Sequence, residues 1–224
     1  MLMEKARQEI VDYGKKMSAA RLTSGTSGNL SVYDAKTGYM AISPSGVGYF
    51  DTKPEDIVIM KLDGTIVEGT MKPSSEHALH ATIYKTHPDA RAIVHAHATY
   101  CTTFACLNQP IRACHYLIAG AECATIPCAD YATYGTEELA EKVEAVKSDG
   151  LAMLLANHGM VAFGPNMAKA FNVAENVEWM AEIQWRAMCV GTPSILSDKE
   201  IANVIEHFKT YGQVKEGETG KGGY

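Results

Sequence analysis

Residues 92–97 read Ala-Ile-Val-His-Ala-His and carry the strongest structural signal in this 224-residue chain. The apolar run before His95 predicts a buried strand. Alternate residues of a strand point to the same face, so His95 and His97 are expected side by side. Two neighbouring imidazoles can bind one metal ion, and imidazole suits zinc, copper, iron and nickel. The pair is equally explained by two polar residues that satisfy hydrogen bonds at a strand end.

Short strands and longer helices are predicted on both sides of this segment. Apolar alternation, turn residues and helical spacing of apolar positions define them. The order of elements favours an α/β fold, a single domain over residues 1–214 with a central, mostly antiparallel sheet flanked by helices. A Gly- and Lys-rich tail over residues 215–224 is expected to be mobile. The further predicted strands are 30–33, 39–42, 57–60, 66–68, 151–155 and 160–163, and the helices are 3–20, 73–87, 99–107, 136–147, 167–190 and 197–211.

Composition excludes several classes of function. The chain is 46% hydrophobic and 21% charged, which is typical of a globular protein, and its formal net charge is −6. Without a basic stripe, nucleic-acid binding has no electrostatic support. No apolar run is long enough to span a membrane, and the charged N-terminus does not resemble a signal peptide. Six cysteines without a CxxC pair indicate reduced thiols, so a cytoplasmic location is expected.

His158 is the candidate third ligand of a metal site. It lies in Asn157-His158-Gly159, directly after the apolar run 151–155. Three protein ligands leave the open coordination position that a catalytic zinc ion requires. On physical grounds we favour a metal site over three unrelated hydrogen-bonded histidines. The remaining histidines are alternative ligands, two of them three residues apart on a predicted helix: His77, His80, His87, His115 and His207.

Two further residues could carry proton transfer. Glu76 falls in the first turn of the helix predicted from Pro73, where a carboxylate is favoured by the helix dipole, and this is the simpler explanation. Beside a metal ion, Glu76 could also be a fourth ligand and a proton-transfer base. Tyr116 could be a general acid near a metal, although a packed aromatic residue is the commoner role.

Three small turns rich in glycine and hydroxyl groups could bind an anion. They span residues 25–29, 43–46 and 74–75. Backbone N–H groups in such turns, or at a helix start, can hold a phosphate without Lys or Arg. Each turn taken alone is also explained as an ordinary chain reversal.

Together these residues resemble the class II aldolase/epimerase family over residues 4–211, nearly the whole chain. The resemblance rests on the segments Gly-Thr-Ser-Gly-Asn-Leu-Ser (25–31), Ser-Pro-Ser-Gly (43–46), Pro-Ser-Ser-Glu (73–76), Val-His-Ala-His-Ala (94–98) and Asn-His-Gly (157–159). Segments 115–119, 126–136 and 208–212 are similar to the branch of the family that acts on fuculose 1-phosphate.

The resemblance implies a three-layer fold and a role for each candidate residue. One Zn²⁺ per subunit is expected on His95, His97 and His158, with Mn²⁺ or Co²⁺ as alternatives. Glu76 is expected to be a ligand in the absence of substrate and the catalytic acid/base. Tyr116 is expected to give a proton to the aldehyde oxygen from a neighbouring subunit of a homotetramer. Tyr134 and Tyr211 are expected to shape the aldehyde side, and the phosphate is expected on Thr26, Gly28, Asn29, Ser45, Gly46, Ser74 and Ser75.

The reaction implied by the resemblance is reversible cleavage of a phosphorylated sugar, a ketose 1-phosphate. L-Fuculose 1-phosphate is the expected substrate, giving dihydroxyacetone phosphate and L-lactaldehyde through a metal-stabilised enediolate. The alternatives are a related aldolase or dehydratase that acts on a pentulose phosphate or methylthioribulose phosphate, and an L-ribulose-5-phosphate 4-epimerase, whose branch resembles Ser-Ser-Asp where Glu76 stands here. A non-catalytic adducin-like domain is disfavoured, since such domains lose the metal ligands.

Overall fold

The computed structural model describes residues 1–146 and 148–211, so the predicted tail lies outside the described residues. Within these described residues there are six α-helices and ten strands. The helices are α1 (Glu4–Ala19), α2 (His77–Thr86), α3 (Thr99–Cys106), α4 (Glu137–Ala145), α5 (Met167–Val190) and α6 (Asp198–Phe208). The strands are β1 (Asn29–Asp34), β2 (Tyr39–Ile42), β3 (Val58–Lys61), β4 (Ile66–Glu68), β5 (Ala92–Ala96), β6 (Ile111–Arg112), β7 (Thr125–Ile126), β8 (Cys128–Ala129), β9 (Ala152–Leu155) and β10 (Gly159–Gly164).

Eight strands form one sheet in the order β4-β3-β2-β1-β5-β10-β9-β8. Every neighbouring pair is antiparallel except β8 and β9, so the predicted mostly antiparallel sheet is confirmed. The strand with His95 lies near the middle, between β1 and β10. In that register His95 is opposite Asn29 on one side and Val161 on the other. Because paired residues share a face of the sheet, these three side chains point the same way.

Helices cover both faces of the sheet, which gives three layers. Val94 belongs to the core shared with α1, α3 and α5. Its neighbour Ile93 belongs to the core shared with α2 and α4. This alternation sends His95, two residues after Ile93, to the α2 face.

Most predicted elements are present, with differences at their ends. α5 spans the predicted residues, and Asn166 caps it by accepting the N–H of Lys169. Ser197 and Glu200 form the predicted capping box of α6, although that helix ends at Phe208 rather than at residue 211. α4 ends at Ala145, earlier than predicted. The two-residue strands β6, β7 and β8 and the 3₁₀ turn Tyr116–Ala121 were not predicted.

The helix predicted from Pro73 begins four residues later, at His77. Its first predicted residues instead pair with the turn at 43–46. The N–H of Ser45 donates to the carbonyl of Lys72 at 2.9 Å, and the N–H of Ser74 donates to the carbonyl of Ser43 at 3.0 Å. This pairing brings two of the predicted anion-binding turns together. Among the described residues, none of the helices combines the length and apolar character needed to cross a membrane.

Candidate active site

Three histidines from two separate parts of the chain converge near the middle of the sheet, where β5 ends and β10 begins. His95 lies in β5, His97 follows that strand, and His158 lies in the turn between β9 and β10. Their ring centroids form a nearly equilateral triangle with sides of 5.0, 4.8 and 4.9 Å. One ligand nitrogen from each lies within 4.8 Å of the others, so the group could hold a metal ion. The structure thus brings together the three histidines chosen from sequence.

The Glu76 carboxylate faces this cluster. Its Oε2 lies 3.2 Å from Nε2 of His95, and its Oε1 lies 3.4 Å from Nε2 of His158. The expectation that Glu76 lies in the first turn of a helix is wrong, because it is the residue that precedes α2. Its backbone N–H donates to Oγ of Ser74 at 3.2 Å. Its side chain makes no capping hydrogen bond to α2, and its contacts are instead with the histidine cluster and Asn29.

The donor atoms of the cluster fit a bound cation. Nδ1–H of His95 donates to the carbonyl of Met160 at 2.9 Å, which turns the Nε2 lone pair inward. Nε2 of His97 lies 3.2 Å from that nitrogen. In the described part of the chain, the buried Oε1 of Glu76 has no hydrogen-bond partner. Buried polar atoms are normally satisfied, and converging nitrogen and carboxylate ligands are those that zinc uses.

The charges of the cluster also favour a cation at its centre. Burial raises the pKa of Glu76, but His95, His158 and Asn29 outweigh it, and the net pKa lies well below the usual range. Burial lowers the pKa of His95, but the Glu76 carboxylate raises it above the usual value. Burial and the neighbouring His95 lower the pKa of His97 and of His158 to about 4, so both imidazoles are neutral ligands near pH 7.

A cavity of about 400 Å³ extends from the cluster. No Lys or Arg lines its described part, so hydroxyl and N–H groups are its donors to an anion. Gly28 has φ +77°, and a Cβ there would lie 2.6 Å from the carbonyl oxygen of His95, so this turn packs directly on β5. All the residues predicted to bind phosphate line this cavity: Thr26, Gly28, Asn29, Ser45, Gly46, Ser74 and Ser75.

The predicted tyrosines are placed differently from one another. Tyr134 lines the cavity, although its side chain is 67% exposed. Tyr116 is 47% exposed and stacks on His115, and it does not line the cavity. Tyr211 is 87% exposed and packs near Phe208 at the end of α6. Within one chain, the structure does not bring Tyr116 or Tyr211 to the histidine cluster.

The alternative histidine ligands lie elsewhere or have other partners. His87 packs on the ring of Phe163, with 4.5 Å between ring centroids, and His115 accepts the N–H of Leu117. His77 and His207 are not members of the metal-binding group. His80 is fully buried and its Nε2 contacts Oδ1 of Asn29 at 2.5 Å.

Sequence reasoning missed three cavity residues, one of which is Ala132, and the contacts of Asn29. Asn157, which has φ +55°, and Tyr131 both line the cavity. Asn29, predicted only as a phosphate contact, donates from Nδ2 to Oε2 of Glu76 at 2.8 Å. The alternation of side chains along β1 would place Asn29 on the same face as His95, but only once β1 is known to pair with β5.

The chain matches a family model described as the Class II Aldolase and Adducin N-terminal domain over residues 8–185. It is 45% identical over 213 residues to the 5-deoxy-D-ribulose 1-phosphate aldolase of Bacillus thuringiensis serovar kurstaki, with 95% of this chain and 100% of that protein covered. It is 41% identical over 213 residues to the L-fuculose phosphate aldolase of Escherichia coli K12, with 95% and 98% covered. A solved structure of an L-fuculose 1-phosphate aldolase superimposes with a TM-score of 0.88 at 45% identity, covering 93% of this chain and 98% of that one.

A mostly antiparallel sheet between two layers of helices, with a three-histidine group where β5 ends and β10 begins, defines a metal-dependent enzyme of the class II aldolase type. The chain therefore belongs to the class II aldolase family. Its relatives are named aldolases, and the chain is an aldolase. Class II aldolases are metal-dependent, in agreement with the histidine group.

Proposed function

We propose that this aldolase reversibly cleaves a ketose 1-phosphate into dihydroxyacetone phosphate and an aldehyde. The observation that carries this proposal is one cavity with a cation-binding histidine group and a set of uncharged anion donors. A ketose 1-phosphate presents a carbonyl and a hydroxyl oxygen a few bonds from its phosphate, so it matches both parts. Two of the proteins named above are an aldolase of 5-deoxy-D-ribulose 1-phosphate and one of L-fuculose 1-phosphate, which supports the same substrate class.

His95, His97 and His158 would hold one Zn²⁺ per chain, with Glu76 as a further ligand before substrate binds. When bound, the metal ion would supply Lewis-acid stabilisation of the negative charge that develops on the substrate oxygens. The two neutral imidazoles suit this role, because a ligand must offer a lone pair. Mn²⁺ or Co²⁺ would fit the same donors.

The protein residues would handle the protons and the phosphate. When the C3–C4 bond breaks, its electron pair would stay on the three-carbon phosphate half as an enediolate, and the C4 hydroxyl proton would pass to the oxygen of a deprotonated Tyr116 as the aldehyde forms. Glu76, after taking up a proton from solvent, would protonate C3 to give dihydroxyacetone phosphate, and Tyr116 would return its proton to solvent. The hydroxyl and N–H groups around Gly28, Ser45 and Ser75 hold the phosphate, so its binding energy orients the reacting carbons.

Two candidate substrates differ only in the aldehyde half. L-Fuculose 1-phosphate gives L-lactaldehyde, and the likeness to fuculose aldolases in sequence and structure favours it. 5-Deoxyribulose 1-phosphate gives acetaldehyde, and the 45% identical relative favours it equally. A methylthioribulose-phosphate aldolase is the related alternative, supported by the dual name of a 41% identical protein from Rhodospirillum rubrum.

A cleavage screen tests the proposal. The zinc-loaded protein is incubated with the 1-phosphates of fuculose, rhamnulose, ribulose, 5-deoxyribulose and methylthioribulose, and free dihydroxyacetone phosphate is measured. We expect release from at least one of them, with the fuculose or 5-deoxyribulose compound fastest. An isomeric ketose phosphate without release, measured also with L-ribulose 5-phosphate, would instead identify the epimerase, and a dehydrated phosphate would identify the dehydratase.

We also propose a homotetramer whose sites lie between subunits. The exposed position of Tyr116, away from the cavity of its own chain, supports this arrangement. Trp179 and Trp185 on α5 are also 47% and 41% exposed, and large aromatic residues are enriched in interfaces. Light scattering of the purified protein should give four times the chain mass of 24.3 kDa. A monomer at assay concentration would contradict the proposal.

A cytoplasmic location is proposed from the cysteines. All six are free thiols, three of them partly buried and two exposed, as is usual where thiols are kept reduced. Recovery of the enzyme with a cytoplasmic marker during cell fractionation would support this location.

A further inference from the structure

His80 is a completely buried histidine that neither the metal group nor the phosphate turns employ. It lies on α2 and inserts between that helix and β1. Its Nδ1 lies 2.6 Å from Oγ of Ser31, and its Nε2 lies 2.5 Å from Oδ1 of Asn29. Asn29 in turn contacts Glu76, so one residue separates His80 from the carboxylate.

The spacing of the sequence produces this arrangement. Glu76 immediately precedes α2, and His80 and Tyr84 follow it at intervals of four residues. The three side chains therefore lie on the same side of the helix. Asn29 and Ser31 are two residues apart on β1, so their side chains point to the same face of the sheet. The side chains from α2 and from β1 contact one another in turn. Their hydrogen bonds form a continuous series in the order Tyr84, Ser31, His80, Asn29, Glu76.

The chemistry of the acceptors fixes the direction of every hydrogen bond. The ionised Glu76 carboxylate can only accept, so the Asn29 amide turns its NH₂ group toward Glu76 and its carbonyl toward His80. That carbonyl must then receive Nε2–H of His80. Burial and the neighbouring His95 lower the pKa of His80 to about 3, so the ring carries this one proton and Nδ1 accepts from Ser31.

The end of the series is fixed in the same way. Because the Ser31 hydroxyl donates to His80, its oxygen accepts the hydroxyl of Tyr84, 2.7 Å away. Each of the four residues before Glu76 in this series therefore donates to the next, and the last hydrogen bond ends at Oε2 of Glu76. Hydrogen bonds aligned in one direction polarise one another, and a low-dielectric interior strengthens the effect.

We propose that His80 is a positioning residue that, through Asn29, fixes Oε2 of Glu76 and leaves Oε1 as the oxygen that exchanges the proton with substrate. This inference rests on the proposed acid/base role of Glu76. Oε2 has a donor at 2.8 Å, whereas the buried Oε1 has none among the described residues. With a metal ion held by the three histidines and substrate bound, the Asn29 contact would keep the Glu76 carboxylate from rotating away and so hold the acid/base near C3.

Two substitutions of His80 separate this role from simple packing. The amide nitrogen of His80→Gln can reach the position of Nε2 and donate to Asn29. The amide of His80→Asn reaches only the position of Nδ1 and leaves Asn29 without its donor. We expect His80→Asn to lower kcat about 10–100-fold and His80→Gln to remain within about threefold of the parent protein, as for other residues that orient a ligand. Bound metal should stay at one ion per chain in both variants, because the three histidines are unchanged.

His77→Asn is the matched control, since His77 lies on the same helix outside the metal group and the cavity. It should keep the parent kcat. Equal loss of kcat in His80→Gln and His80→Asn, or loss that follows the melting temperature of each variant, would overturn the proposal. Tyr84 is the residue of the hydrogen-bond series farthest from Glu76. Tyr84→Phe keeps the shape of its side chain and should lower kcat by less than His80→Asn.

A measurement on the unsubstituted, metal-free protein gives an independent result. In ¹⁵N NMR of labelled histidine, the ring signal that disappears in His80→Gln, and is thereby assigned to His80, should be that of a neutral ring with its proton on Nε2. A proton on Nδ1, or a doubly protonated ring near neutral pH, would reverse the deduced direction and overturn the proposal. If no ketose 1-phosphate is cleaved, the proposed function fails, while this spectrum still reports on the hydrogen-bond series.

Discussion

The histidine group with Glu76 and the tyrosines assigned to the aldehyde side differ in burial and in the contacts that their own chain provides. His95 and Glu76 are buried, and each is held by hydrogen bonds to strands or turns of the same chain. Tyr116, Tyr134 and Tyr211 are 47%, 67% and 87% exposed. The chain therefore places the histidine group through its own contacts, whereas it leaves the three tyrosines largely exposed.

This contrast suggests a division of roles. In the proposed reaction the buried part acts on the three-carbon phosphate half, which all the candidate substrates share. The exposed tyrosines would meet the aldehyde half, which varies among the relatives. Substitutions in the buried part should therefore affect every substrate alike, and substitutions of the tyrosines should have smaller effects that depend on the aldehyde or on assembly.

The largest effect is expected from loss of a histidine ligand. His97→Ala should lower kcat/KM about 10⁴-fold, since about 5 kcal/mol of charge stabilisation corresponds to this factor at about 1.4 kcal/mol per tenfold. Metal analysis should show less than one bound ion per chain. His207→Ala, exposed on α6, is the control and should keep both metal and activity. Full metal content in His97→Ala would contradict the assignment.

The second effect is expected from Glu76→Gln. The amide keeps the shape of the side chain but cannot take a proton, so kcat should fall about 10³-fold, in the range of general acid–base catalysis. Metal content and phosphate affinity should change little, because the three histidines and the turns remain. Glu141→Gln, exposed on α4, serves as the control. Full turnover by Glu76→Gln would show that another group exchanges the proton.

The difference between the two parts also explains what could be predicted from sequence. The three histidines lie at or just after apolar strands, so alternation and strand ends were sufficient to select them. The link from Asn29 to Glu76 depends on β1 pairing with β5, and no local pattern states which strands pair. The start of α2 was misplaced because residues 72–74 pair with 43–45, a tertiary contact that overrides a favourable helix start. Strands of two residues have no periodicity to detect.

The third effect is expected from Tyr116→Phe and probes assembly. Carbon–carbon cleavage should slow about 10²-fold, at the lower end for proton transfer, while proton exchange on dihydroxyacetone phosphate should slow much less. Tyr39→Phe, on β2, is the control. Equal loss of both reactions would indicate loss of metal or of folding instead.

Mixing two inactive variants sharpens this test. When Tyr116→Phe and Glu76→Gln chains are dissociated and reassembled together, some sites should combine an intact Tyr116 from one chain with an intact Glu76 from its neighbour. Activity above that of either variant alone is therefore expected. No recovery in oligomers shown to contain both chains would indicate that each site is built from one chain, and the contrast drawn above would fail at this residue.

The smallest effect is expected from Tyr134→Phe. The residue lines the cavity but is 67% exposed, so its hydroxyl exchanges readily with water and contributes about 0.5–1.5 kcal/mol at most to an aldehyde contact. That range corresponds to about a 2- to 10-fold change in the ratio of kcat/KM for two aldehydes in the synthetic direction. Lactaldehyde, which has a hydroxyl group, should be affected more than acetaldehyde, which has none. A loss that is equal for both aldehydes, or one as large as that of Glu76→Gln, would place Tyr134 with the buried part of the site.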